Sequence, residues 1–365
     1  MNKKKMYLYL GIGVGSIALI VIIVIVVMMV FGSKSVSYST IESRMVTAAK
    51  NYYKKNSSNL PTEEGGQITV DIATLTASGD LKAVSEMVDK GVTCNGNVVV
   101  TKTGDGYQYT AYLDCGDNYH TQAFYEKLID NNVISEFGDG LYELNGGYVY
   151  KGETPNNYVK FADHLFRIVK INPDHSILAV FSQSASEKIS DDVEWDRHYN
   201  SATNSLGINE YSQSSIRKTL SDLYTSDFFT DEDLTKLIPF DLCVGPRSKG
   251  DNVNDGSIEC QTKVENQYIG LLPFYDYVNA SLDTNCSSFN NSLSCTNYNY
   301  LNNYSKKWWL LTPATSKSNL VYQVSGSILE EEANDEASPR FTVTFGNYVV
   351  YDSGTGTKTD PYIVK

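Results

Sequence analysis

The chain has 365 residues, 20% of them charged and 12% aromatic, a composition that suits two or three folded domains. Its 43 acidic against 30 basic side chains give a formal net charge of −13. That balance argues against a nucleic-acid binder, whose phosphate partners need a basic face.

The N-terminus opens with Lys3, Lys4 and Lys5, then runs without a charge from Met6 to Phe31. At ~1.5 Å per residue such a helix reaches ~39 Å, more than the ~30 Å hydrocarbon core. Residues 1–34 therefore read as a cytoplasmic stub and a transmembrane signal anchor, with everything after Phe31 outside the cell membrane. A cleaved signal peptide would have an apolar region of only ~7–15 residues, and "VFGS" is a poor cut site. Gly11 and Gly15 have a spacing that lets two such helices self-associate, or simply face lipid as small residues.

Residues 38–56, "YSTIESRMVTAAKNYYKKN", place Tyr38, Ile41, Met45, Ala48, Ala49 and Tyr52 at helical spacing, with Ser39 and Glu42 as a capping box. Pro61, Gly65 and Gly66 break that helix. "TVDIATLTASGDL" reads as a short helix stopped at Gly79. "NVVVTKT" and "YQYTAYLDC" alternate on either side of Gly104, Asp105 and Gly106, which predicts a hairpin. Residues 120–136 read as a linker helix.

From Phe137 the pattern turns to strands: "GYVYKG", "YVKFADHLFRIVKI" and "SILAVF". Alternation in "HLFRIVKI" puts Leu165, Arg167 and Val169 on one face and Phe166, Ile168 and Lys170 on the other. Ile216, Leu220 and Leu223 form the stripe of a helix, and Thr230 caps a further turn. "WWLLTPA", "NLVYQVSGS" and "RFTVTFGNYVVY" return to strands. Trp308 and Trp309 must then point to opposite faces. One is expected in the core and the other half-covered at the surface, with Pro313 ending the strand.

Six cysteines fall into three neighbouring pairs: Cys94 with Cys115, Cys243 with Cys260, and Cys286 with Cys295. Fifteen connectivities are open to six cysteines. The local pairing is expected, each bridge adding ~2–4 kcal/mol. A zinc site would need close ligand pairs such as C-x2-C, and none occurs.

Through "AAKNYYKKN", the "LP" after it and "IATLTASGDL", residues 6–119 resemble type IV pilins and pseudopilins. This implies a pilin-like helix-plus-sheet domain over 35–119. The chain departs from that pattern where Lys5 precedes Met6 and where no acid interrupts the apolar run. From Phe137 to Lys365 the ordered segments "YVYKGETPNNYVKF", "LFRIVKI", "EWDRHYN", "YSQSSIRKTL", "LIPFDLCVG", "YIGLLPFYDYVNA", "KKWWLLTPA", "VYQVSGSI" and "GTGTKTDPYIV" resemble a second group. These are exported proteins of low-GC Gram-positive bacteria with a domain of the C-type-lectin-like, formylglycine-generating-enzyme-like fold. A departure is "ASPRFTV", which follows an acidic run where the family has a Gly-Val-Arg-Pro-type turn. The expected fold class is therefore α+β: one N-terminal transmembrane helix, a pilin-like domain, and a C-type-lectin-like α+β domain over 137–365.

No catalytic constellation emerges. His120, His164, His175 and His198 lack metal-ligand spacing, and neither G-x-S-x-G nor H-E-x-x-H is present. Asp251–Gly256, "DNVNDG", resembles the start of a calcium loop, but Val253 at the third position offers no side-chain oxygen and Thr262 stands at the twelfth in place of Glu. Glu330–Glu336 could dock a cation or basic partner, and otherwise reads as a solvated loop. The best binding candidate is the Asn-, Ser- and Tyr-rich stretch 282–304, with Asn297, Tyr298, Asn299, Tyr300 and Tyr304 offering amides and aromatic faces. The bland reading is compositional, since the chain holds 27 tyrosines. The expected function is a membrane-anchored cell-surface protein that binds a glycan or protein without catalysis or cofactor. A pseudopilin-like assembly subunit and an envelope enzyme are the alternatives.

Overall fold

The computed structural model describes residues 36–104, 106–133, 137–182, 192–286 and 295–365. They divide into two compact units at Thr121/Gln122. Both units are α+β, with far more strand than helix in the second. Among the described residues no helix is long and apolar enough to cross a membrane. The expected fold class, which included such a helix, is corrected accordingly; the segment Met6–Phe31 that prompted it lies outside the described residues.

The first unit lays one helix, α1 (Tyr38–Lys55), on a three-stranded antiparallel sheet. The helix starts two residues earlier than the expected box. Ser37 is the N-cap, its hydroxyl accepting from the Thr40 amide at 3.3 Å. Glu42 is not a capping residue but a buried acceptor, taking hydrogen bonds from Tyr119 (2.6 Å) and from the Thr121 hydroxyl. Ile41, Met45, Ala48, Ala49 and Tyr53 form the buried stripe, so Tyr53 takes the place expected for Tyr52. Each large side chain so buried contributes ~1.5–3 kcal/mol.

The sheet joins β1 (Gln67–Asp71), β2 (Asn95–Thr103) and β3 (Gly106–Asp114). β1 corrects the reading of "TVDIATLTASGDL" as all helix. Thr69 and Val70 pair with Val99 and Val98, and Asp71 then caps the short helix α2 (Ile72–Ala77) through the Thr74 amide at 2.6 Å. β2 and β3 form the expected hairpin, closed at its open end by Cys94–Cys115 with Cα atoms 4.1 Å apart.

The second unit is built on a nine-stranded sheet. Its strands are β4 (Gly140–Leu144), β5 (Gly147–Lys151), β6 (Tyr158–Phe161), β7 (His164–Ile171), β8 (Ile177–Phe181), β14 (Ile269–Leu271), β19 (Phe341–Phe345), β20 (Tyr351–Ser353) and β21 (Tyr362–Val364). The order is β14-β19-β8-β7-β6-β21-β20, with the β4–β5 hairpin joined through β5 to β7. Only β6 and β21 run parallel in this sheet. The register of β7 shifts between Ile168 and Lys170. This bulge puts Lys170 opposite Leu178 and Arg167 opposite Val180, so the two basic residues share a face that strict alternation would deny them.

One face of this sheet carries a phenylalanine cluster. Phe161 and Phe345 lie 4.9 Å apart, Phe181 and Phe341 5.0 Å, with Phe166, Phe228 and Phe229 packed around them. The helix α3 (Phe124–Asn132), expected as part of a linker, buries Phe124 and Leu128 in this unit's core. The stripe helix α4 (Ser215–Tyr224) forms as read, capped by Ser214, and Thr230 caps the short α5 (Asp231–Leu234).

A second sheet contains β15 (Trp308–Pro313), β16 (Leu320–Val324) and β17 (Ile328–Glu332). Every residue of β15 is buried, so neither tryptophan is half-covered as expected. Trp308 packs beside Tyr277 and under the Arg340 guanidinium, while the Trp309 indole donates to the Val193 carbonyl at 2.8 Å. The acidic run is also ordered: Glu330–Glu332 belong to β17, paired along β16, rather than to a solvated loop.

Candidate functional site

The Asn- and Tyr-rich stretch folds back on itself. Cys286–Cys295 closes it, with Cα atoms 5.4 Å apart. The Ser281 hydroxyl donates to the Asn297 carbonyl at 2.7 Å, the Leu282 amide to the Tyr298 carbonyl at 3.2 Å, and the Asn297 amide group to Asp283 at 3.3 Å. Residues 281–283 are thereby strapped to 297–298.

This frame separates the five candidate residues. Asn299 is buried, its amide donating to the carbonyls of Tyr277 (2.9 Å) and Cys295 (2.8 Å). Tyr300 is buried too; its phenol donates to the Ile168 carbonyl at 3.2 Å and its ring lies 4.6 Å from the Arg167 guanidinium. Burial pushes that phenol well above its usual pKa. Tyr304 is half-buried, its ring 4.5 Å from the Arg340 guanidinium and its phenol 3.0 Å from the Ser338 hydroxyl. These three hold the fold together. Of the five, Asn297 and Tyr298 are the exposed ones, Tyr298 with 52% of its surface exposed.

Tyr298 owes its exposure to backbone geometry. Its φ of 49° lies in the left-handed region, which costs a non-glycine residue ~1 kcal/mol or more and persists only where the surroundings enforce it. The ring points outward against Phe137, itself 75% exposed, with centroids 6.2 Å apart and planes nearly perpendicular. A cavity of about 470 Å³ opens beside Phe137, which lines it with Tyr142, Lys151, Asn279 and Asp283 among others. The Tyr142 phenol donates to the Gly138 carbonyl at 2.6 Å and fixes the turn that carries Phe137. Asp139 anchors the other side of that turn through the amides of Glu153 (3.0 Å) and Thr154 (2.8 Å). Lys151 sits 5.8 Å over the Tyr142 ring, and burial lowers its pKa.

The site therefore combines two exposed aromatic faces with an ammonium donor and a carboxylate acceptor. Phe137, Tyr142 and Lys151 were not singled out from sequence. Their signal was an aromatic residue on each side of the glycine turn "FGDGLY", which carries no spacing rule of its own.

Two other candidates resolve differently. In the Asp251–Gly256 loop the cation is a side chain: the Arg247 guanidinium takes the carbonyls of Asp251 and Val253 and the Asn254 side-chain oxygen. Arg247 also forms a fully buried ion pair with Glu259 at 2.8 Å, beside the Cys243–Cys260 bridge, whose Cα atoms are 4.3 Å apart. In the acidic strand β17, Glu330 faces Lys249 at 3.5 Å and the Ser316 hydroxyl at 2.8 Å. Among the described residues no group of three or more His, Cys, Asp or Glu side chains is arranged to hold a metal ion.

No protein family, no curated protein and no solved structure matches this chain.

Proposed function

We propose that the second unit is a non-catalytic recognition domain for carbohydrate, with its binding surface at the Phe137–Tyr298 cavity. The observation that carries this reading is a pair of adjacent, outward-facing aromatic rings, of which Phe137 lines a cavity and Tyr298 packs against Phe137. Single exposed apolar side chains are ordinary; two in contact beside a cavity suit an interaction site. An aromatic face packs on the C–H face of a sugar ring, while Lys151 and Asp283 supply a hydrogen-bond donor and acceptor for its hydroxyls. Three disulfides support an oxidising, extracytoplasmic setting. The resemblance to C-type-lectin-like domains points the same way, although a shared fold does not bring a shared ligand.

A glycan array probed with the full chain, followed by titration of the hits, tests the proposal. Tyr298→Ala and Phe137→Ala should each weaken binding about tenfold, equivalent to ~1.4 kcal/mol. Silence at millimolar ligand, or full affinity in the double variant, would sink it.

A further inference from the structure

The nine-stranded sheet has two chemically opposite faces along β19. Phe341 and Phe345 enter the phenylalanine core, while Thr342 and Thr344 alternate onto the other side. Register then builds a row across the sheet: Thr344 lies opposite Leu178 on β8, and Leu178 opposite Lys170 on β7. The bulge in β7 is what brings Lys170 to this face.

A second cavity of about 380 Å³ lies over that row, within the ~300–1,000 Å³ range of small-molecule sites. Its walls come from the strand Phe240–Cys243 and from Pro273, Tyr275 and Asp276. The Lys170 ammonium bonds both oxygens of Asp276, at 2.9 and 2.8 Å, and stands 5.0 Å from the centre of the Tyr275 ring. Thr342 and Thr344 line the same cavity. Both are almost wholly buried, and among the described residues neither hydroxyl has a hydrogen-bond partner.

An unpartnered buried hydroxyl is costly, and valine would fill the same shape without that cost. Two such hydroxyls two residues apart, on residues that line one cavity, give a guest two donors and a set of acceptor lone pairs once the side chains turn toward it. Lys170 and Asp276 add a donor and an acceptor held side by side. Asp174 and Asp241, both exposed, contribute negative charge at the same cavity and disfavour an anion.

We propose that this cavity binds a neutral, polyhydroxylated small molecule of monosaccharide size, at a site separate from the Phe137–Tyr298 surface. The two cavities share no lining residue, so the two proposals stand or fall independently.

Ligand-observed NMR and calorimetry on the full chain, with galactose, N-acetylglucosamine, myo-inositol and galacturonate as probes, test it. At least one neutral probe should bind, and more tightly than galacturonate. Thr342→Val/Thr344→Val should lose about tenfold in affinity or more, while its melting temperature stays level or rises. The measurements are made in a Phe137→Ala/Tyr298→Ala background, so that sugar binding at the other surface does not enter them. Thr344→Val alone is read beside the double valine variant, with the same direction of loss in affinity and a level melting temperature expected. The proposal is overturned if no neutral probe binds at millimolar concentration, if galacturonate binds best, or if the valine variant binds as the parent does. A fall of several degrees in its melting temperature would also overturn it, because the hydroxyls would then be bonded within the fold.

Discussion

Asp196 and Asp276 are both nearly inaccessible to water, at 1% and 3% exposure, yet their acidities move in opposite directions. Asp196 lies between strands β9 (Val193–Glu194) and β10 (Tyr199–Asn200). Its carboxylate accepts from the amides of Ile208 (2.8 Å), Ser215 (3.0 Å) and His198 (3.2 Å), with His198 Nδ1 at 2.6 Å. Burial alone would raise its pKa, but these hydrogen bonds outweigh burial and hold the carboxyl below its usual range. Asp276 sits on the short helix α6 (Phe274–Asn279), with Lys170 as its ion-pair partner. Burial dominates there, and the ammonium offsets only part of it, so the Asp276 carboxyl is pushed up. Burial also works against the Lys170 charge, but Asp276 and Tyr275 outweigh it and keep the amine protonated.

The difference teaches where a buried charge is cheap. Backbone amides are desolvated by the fold whether or not a carboxylate comes, so Asp196 satisfies donors that would otherwise be orphans. An ammonium must be desolvated along with its partner, which consumes much of the Coulomb gain. Asp196 accordingly ties loop segments together, while the Lys170–Asp276 pair stands at the wall of a cavity.

The largest expected effect follows from the first half of that contrast. Asp196→Ala orphans at least two part-buried amides at ~1–3 kcal/mol each, so urea unfolding should show a loss of about 3–5 kcal/mol. Lys170→Met should cost less, about 2 kcal/mol, because the ammonium it removes is partly solvated, with 22% of the side chain exposed. An equal or larger loss in Lys170→Met would break the comparison.

Acid titration of stability sharpens it. The depressed Asp196 contributes stability that is present above the unfolded aspartate value of ~3.9 and is lost as pH falls through its folded pKa. The deficit of Asp196→Asn should therefore shrink only below about pH 3.9. Asp276 has the opposite sign: its favourable contribution is full below ~3.9 and is lost as pH rises through its raised folded pKa. The deficit of Lys170→Met should thus shrink already on the way down to about pH 4. Identical pH windows for the two variants would show that amide donors and an ammonium partner act alike.

The smallest stability effect is expected at the other cavity. Tyr298→Ala should change the unfolding free energy by no more than ~0.5 kcal/mol, because its ring is largely in solvent. A loss as large as that of Lys170→Met would make Tyr298 a packing residue rather than a contact surface.

Much of the architecture could be read from local pattern. The hairpin around Gly104, the helix striped by Ile216, Leu220 and Leu223, the Thr230 cap and the strand "RFTVTF" each rest on neighbours within a few residues. The local cysteine pairing has the same character, since each pair flanks a short loop. Strand β1 was misread because "TVDIATL" satisfies a helical stripe from Val70 onward, and only pairing with Val98 and Val99 makes its first half a strand. Within "NYNY" the sequence offers Tyr298 and Tyr300 on equal terms. The buried Asn299 amide and the left-handed backbone at Tyr298 send one ring outward and the other under Arg167.

Sequence by itself determined composition, charge, the alternation of most strands and the local cysteine pairs, because those depend on covalent neighbours and on the periods of helix and strand. Tertiary structure alone decided which residues meet at a cavity. A one-residue bulge in β7 carries Lys170 to the face of Thr344, and both tryptophans are buried because β15 is covered on both sides. Register shifts and layer coverage arise from contacts between segments far apart in the chain, and no local period encodes them.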